Sequence, residues 1–236
     1  MCPSTSPAPI ALVDEFHALL DAAGDAPTNR KGLQRRPMVA TLGLTGFRIS
    51  EMTDLRVGQV DLQRSRFKIA DAKTEAGVRE VEITLYLHDE LFTYLMDRRA
   101  RGLPVPPSDH FFGTATGKRR DPDRFRDRIL ARAIARANSN RAAGGMPSLP
   151  PITPHSLRRT WATFCAMIGR DPKWVAAQIG HVNPKFTFSV YQQVATRRYI
   201  DEQAVWTLMR FADEPAERVP NQANHASSAG RHAGSR

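Results

Sequence analysis

With 236 residues the chain can bury one large core, or one domain with a short appendage. Its 34 Lys and Arg outnumber its 24 Asp and Glu, and the formal charge of +10 favours polyanionic partners, nucleic acid first and an anionic membrane surface second. No apolar run reaches the roughly 20 residues of a bilayer span, and neither a signal-peptide pattern nor a cysteine framework is present, which points to a protein of the reducing cytoplasm.

Residues 1–9, rich in Pro and Ser, read as a flexible N-terminus. From Ile10 to Ala23 the spacing of Leu12, Phe16, Leu19 and Leu20 predicts a helix ending near Gly24. A basic loop, Arg30 to Arg36, leads through Pro37 into a second apolar helix closed by Gly46, and a short third helix covers Ile49 to Leu55. The period then changes to two at Val60 and Leu62, Phe67 and Ile69, and Val81 and Ile83. This predicts a small antiparallel sheet of three strands with turns at 63–65 and 74–77. Helical spacing returns at Leu87, Leu91, Tyr94 and Leu95, and His110 to Gly113 reads as a short strand or extended loop. Further helices are expected at about 122–137, 154–168 and 172–179, around Tyr191, and at about 197–211. Residues 213–236 read as a disordered tail. The fold class is therefore mainly α with a small three-stranded antiparallel sheet, an α+β domain over residues 10–212.

Chemistry concentrates in a few segments. Thr153 suits an N-cap and Pro154 a first helical position, so His155 and Arg158 share one face of a first turn. Two arginines, Arg158 and Arg159, at a helix start oppose its dipole, which makes sense where an anion binds; a solvated basic face is the other reading. Asp171, Pro172 and Gly180 bracket the next helix, and His181 stands just past its stop. Tyr191 is ten residues further on, at helical spacing from apolar neighbours, as a half-buried core tyrosine would also be.

Leu44-Thr45-Gly46-Phe47-Arg48-Ile49-Ser50-Glu51 resembles the first arginine box of the tyrosine recombinases of the phage integrase family. Ala72-Lys73-Thr74 through Gly77-Val78-Arg79-Glu80-Val81 is similar to the hairpin bearing that family's lysine, with Lys68 as a rival. His155-Ser156-Leu157-Arg158-Arg159-Thr160 resembles its His-x-x-Arg box, and Ile179-Gly180-His181 and Tyr191 resemble its second histidine and nucleophile. Any one box is weak; five in order are strong. The resemblance implies the family's catalytic-domain fold and a DNA-cutting and rejoining enzyme that needs neither metal nor other cofactor. Arg48 and Arg158 would bind the scissile phosphate, His181 would add a hydrogen bond, His155 would assist proton transfer, Lys73 would protonate the leaving oxygen, and Tyr191 would form a 3′-phosphotyrosine link.

Nine basic residues between Lys118 and Arg141 face three aspartates, and Arg124, Arg128, Arg132 and Arg136 recur every fourth residue. Arg124, Arg128, Arg132 and Arg159 are accordingly candidates for contact with the backbone of double-stranded DNA, although such a stripe is also what a solvated face looks like. The catalytic pattern starts within ten residues of Met1, so no separate N-terminal core-binding domain is expected. The apolar face of the last helix, with Trp206, Leu208, Met209 and Phe211, suits a neighbouring copy in a tetramer on DNA or the chain's own core equally. Competing functions are a truncated noncatalytic DNA-binding relic that modulates a full-length recombinase, and a type IB topoisomerase.

Overall fold

The computed structural model describes residues 10–24, 32–69, 78–103, 105–114, 116–180, 185–196 and 201–212. The predicted turn at 74–77, the start of the last predicted helix and both expected flexible ends lie outside these residues. Four helices and a sheet precede the long basic segment: α1 (Val13–Gly24), α2 (Gly32–Thr45), α3 (Ile49–Asp54), β1 (Val60–Asp61), β2 (Arg66–Ile69), β3 (Arg79–Glu82) and α4 (Leu85–Ala100). Next come α5 (Pro122–Phe125), α6 (Ala131–Ala143), α7 (Pro154–Met167), α8 (Pro172–Ile179), α9 (Lys185–Thr196) and α10 (Glu202–Met209). No helix among the described residues is long and apolar enough to cross a membrane.

α2 is the central rod. Met38, Val39, Ala40, Leu42 and Leu44 are all fully buried, because α1, α4 and α7 pack on different sides of it. A helix apolar all round has to be enclosed in this way. Pro37 lies inside α2 rather than ahead of it, so the helix begins earlier than its apolar stretch suggests. Phe16 of α1 meets Phe164 of α7 edge-on, with ring centres 6.3 Å apart, and Trp161 stacks near Trp174 at 6.2 Å.

The sheet has the order β1-β2-β3, all antiparallel, with Phe67 opposite Val60 and Val81. Phe67, Ile69 and Val81 face the core while Lys68 and Glu80 face outward, the alternation of a sheet covered on one side. Phe67 packs against Phe47, at 5.1 Å, and so ties the sheet to the turn between α2 and α3.

α10 packs on its own domain. It contacts α7 and α4, Leu85 N donates to Arg210 O at 2.8 Å, and the Arg170 guanidinium lies over Trp174 (4.8 Å) and Phe211 (4.5 Å). Of the two open placements for the last helix, this is the one the fold contains.

The basic helix differs from expectation in two respects. It runs on to Ala143 and contains a π turn at Arg126–Leu130. In an unbroken α-helix, residues four apart drift by roughly 40° per step. The extra residue of a π turn rotates the next turns of helix back by about 100°, offsetting most of the drift between Arg124 and Arg136.

Candidate active site

Three consecutive backbone carbonyls at the end of α8 each accept a guanidinium. Gln178 O accepts from Arg79 Nε at 2.6 Å, Ile179 O from Arg158 Nη2 at 2.7 Å, and Gly180 O from Arg48 Nη2 at 3.4 Å. The last carbonyls of any helix lack intrahelical donors and carry the negative end of its dipole. Gly180, in the left-handed region at φ 65°, ends α8 as the Ile-Gly-His spacing predicts and leaves these oxygens open to side chains. The end of α8 thus offsets the repulsion among three like charges.

Arg158 comes from the second turn of α7 and is 4% exposed. Its Nη1 donates to Gly46 O at 2.5 Å, so the guanidinium bridges the α2–α3 turn and the end of α8. Gly46 has φ +65°, and a Cβ there would stand 2.7 Å from Ile179 and 2.9 Å from Trp161, so only glycine admits this closeness. Burial, then the charge of Arg48, pulls the Arg158 pKa down to about 10, with Glu51 opposing and Arg79 adding to the effect. It stays cationic at neutral pH, with carbonyl dipoles as its hydrogen-bond partners. Such a site attracts an anion, and a phosphate's paired oxygens match the fork of an arginine.

Arg48 caps α3 and is more open, its side chain 47% exposed. Glu51 holds it twice, accepting Arg48 N at 2.7 Å and Arg48 Nη1 at 2.9 Å. The same carboxylate takes both Nη atoms of Arg79, each at 3.2 Å. Burial works against ionisation of Glu51, but the Arg79 hydrogen bond and charge, then Arg48, outweigh it and hold the carboxyl below its ordinary range.

His155 stands exposed one turn before Arg158, after the predicted cap Thr153, whose Oγ1 accepts Ser156 N at 3.1 Å. Burial, then Arg159 and Arg158, lowers the His155 pKa and so favours its neutral imidazole. Arg159 is half-buried beside it. Tyr191 is placed differently. Its hydroxyl donates to Arg170 O at 2.5 Å, beside Asp171 at the start of α8, and burial, then Cys165 and Asp171, raises its pKa against the opposing charge of Arg170. The eight residues of α8 span roughly 12 Å, so the phenol and the arginine cluster lie at opposite ends of that helix. The structure therefore brings together Arg48 and Arg158, with His155 close enough to feel Arg158, and leaves Tyr191 apart. Lys73 and His181 lie outside the described residues. The rival Lys68 is exposed and pairs with Asp61 at 3.5 Å.

Arg79 and Gln178 were not singled out in the sequence, although Arg79 left a signal. It shares the strand face of buried Val81, where alternation calls for an apolar residue. A charged residue at a core-facing position needs a dedicated partner, and Glu51 is that partner.

A second cationic feature lies along the basic helix. Arg124, Arg128 and Arg132 line a cleft of about 1040 Å³ together with Arg35 and Met38 of α2 and Arg101 and Leu103 beyond α4. Burial, then Arg132 and Arg136, lowers the Arg35 pKa, a sign of crowded like charge.

The described residues form a mostly helical domain with a three-stranded sheet and an arginine cluster on the end of α8. Residues 12–198 match the model of the phage integrase family, and the chain belongs to that family. It is 29% identical over 174 residues to the tyrosine recombinase XerD of Ralstonia nicotianae, covering 74% of this chain and 52% of that protein. It is also 29% identical over 168 residues to the tyrosine recombinase XerA of Thermococcus kodakarensis, covering 71% and 53%. The chain thus spans about half the length of these curated relatives. A crystal structure of XerA recombinase superposes with a TM-score of 0.63 at 24% identity, covering 89% of this chain and 66% of that one. The Tn1549 transposon integrase in complex with a circular intermediate DNA gives 0.62 at 18% identity, covering 81% and 63%. These superpositions establish the tyrosine recombinase catalytic-domain fold.

Proposed function

We propose that this chain is a site-specific DNA recombinase whose catalytic domain, residues 10–212, cleaves and rejoins double-stranded DNA in the cytoplasm. The observation that carries the reading is the pair of guanidiniums, Arg48 and Arg158, gathered on the end of α8 next to the first turn of α7. Their fixed charge suits the nonbridging oxygens of a scissile phosphate, whose charge grows in the five-coordinate transition state. Tyr191 Oη would attack phosphorus as its proton passes to His155. The bond to the 5′ oxygen would break, that oxygen taking a proton from Lys73, with His181 bonding the phosphate. The resulting 3′-phosphotyrosine keeps the energy of the phosphodiester, so a second strand's 5′ hydroxyl can reverse the step and exchange partners. A tetramer of the chain on two duplexes is the assembly that such exchange calls for.

The test is a nicked suicide duplex, which traps the intermediate. A denaturation-resistant adduct that maps to the peptide holding Tyr191 is the expected result. No adduct on any duplex would favour the noncatalytic relic, a reading that the seat of the Tyr191 hydroxyl on Arg170 O also suits. Relaxation of supercoils without partner exchange would favour a topoisomerase.

The arginine cleft would receive backbone phosphates away from the cleavage point, with Arg159 nearer to it. Among the described residues, none of Arg35, Arg124, Arg128 and Arg132 forms a side-chain ion pair. Changing Arg124, Arg128 and Arg132 together to Gln will lower the slope of log affinity against log salt by about 3. A charge-matched change of Arg64, Arg66 and Lys68 will leave the slope nearly intact. Equal losses from both triples would reduce the cleft to a contribution of net charge.

A further inference from the structure

Arg79 is the third guanidinium on the end of α8 and has no part in the cleavage chemistry proposed for Arg48 and Arg158. Its side chain is 7% exposed. Both Nη atoms are committed to Glu51 at 3.2 Å, Nε is committed to Gln178 O at 2.6 Å, and the group lies 5.9 Å from the centre of the Phe47 ring. With Nε as well as both Nη atoms engaged, where the bonds of Arg158 to Gly46 O and Ile179 O use its Nη atoms alone, Arg79 is the less available of the two to a phosphate. Its effect passes to Glu51, whose two oxygens also hold the backbone and the guanidinium of Arg48. Arg48 is the more exposed member of the pair: its side chain is 47% exposed, and among the described residues its guanidinium's one bond beyond Glu51 is the 3.4 Å one to Gly180 O.

A plainer role for Arg79 is to fasten the sheet to α8. Gln178 already does this, since its Oε1 accepts Glu82 N at 2.9 Å and its Nε2 donates to Glu80 O at 3.4 Å. Docking of β3 therefore has its own bonds, and the double bond from Arg79 to Glu51 is additional.

We propose that Arg79 is a positioning residue for strand cleavage, fixing the Glu51 carboxylate so that Arg48 presents its guanidinium to the scissile phosphate. The assignment rests on the DNA-cleavage reading and adds a residue to it. Arg79 also opens β3, so the sheet and the phosphate grip are joined through one side chain.

Single-turnover cleavage of the nicked suicide duplex by the full chain tests this, because it separates the rate constant from the amplitude. Misfolding removes competent molecules and lowers the amplitude, whereas a misaimed Arg48 slows every molecule. Arg79→Gln is expected to lower the rate constant about thirtyfold, with amplitude and duplex affinity each within about threefold. Arg79→Lys, which restores charge but not the fork, is expected to recover part of the rate. In a Glu51→Gln background, Arg79→Gln should add less than about threefold, since the path through the carboxylate is already cut. A fall in amplitude at unchanged rate constant, or the same thirtyfold loss in both backgrounds, would overturn the proposal. If Arg79→Gln does not fold, Glu51→Gln decides alone, and it must slow cleavage with its amplitude intact. An unaltered chain that forms no adduct would instead end the DNA-cleavage reading itself, and Arg79's part with it.

Discussion

Arg158→Ala will reduce formation of the covalent adduct by about a thousandfold or more and lower folding stability by roughly 3 kcal/mol. Both effects come from the same geometry. The guanidinium bridges Gly46 O and Ile179 O, so its loss leaves two buried carbonyls without a donor and loosens the α2–α3 turn from α8. It also removes the more buried of the two cations available to the transition state. Arg158→Lys should recover more stability than rate, because an ammonium holds charge near the site but cannot span two acceptors and a phosphate together. Denaturant melts combined with single-turnover cleavage check this. A folded Arg158→Ala protein that cleaves within tenfold of the original would remove Arg158 from the mechanism.

Tyr191→Phe will abolish the adduct, a loss on the order of a millionfold such as removal of a nucleophile brings. A second result accompanies it. In the free protein the phenol is seated on Arg170 O, and burial raises its pKa, so it is a poor nucleophile where it stands. To meet a phosphate at Arg48 and Arg158 it must leave that carbonyl and travel the length of α8. A 3-fluorotyrosine at position 191 will therefore shift its fluorine resonance when duplex binds. An unchanged resonance in a complex that forms adduct at full rate would show that no such travel is needed. The raised pKa also sets a stability window. Because the folded state holds this proton more tightly than the unfolded chain, the contribution is present below about pH 10 and fades as the pH climbs through the folded-state value. Alkaline unfolding of Tyr191→Phe should be correspondingly less steep.

Local chemistry made much of this architecture legible. The Asp171 cap, Pro172 start and left-handed Gly180 bracket α8 as their residue types require, and alternation along β2 and β3 marks the covered face of the sheet. The π turn left no such trace, since Arg-Asp-Arg-Ile-Leu is ordinary helical sequence and the extra residue is a matter of how the helix packs. The extent of α2 is hidden from local pattern for a related reason. Pro37 reads locally as a helix start, yet enclosure by α1, α4 and α7 sustains helix on both sides of it.

By itself, then, the sequence determined the class of fold, the basic character and the order of the boxes that hold Arg48, Arg158 and Tyr191. It did so because caps, periodicity and charge act over a few residues. The tertiary structure alone decided that Arg79, Arg158 and Arg48 share three successive carbonyls of α8, that Glu51 serves two of them, and that Tyr191 rests at that helix's other end. Those relations join residues as much as 132 positions apart, brought together by burial of the core around α2. Burial is nondirectional and proportional to area, and no local pattern records which distant side chains it sets side by side.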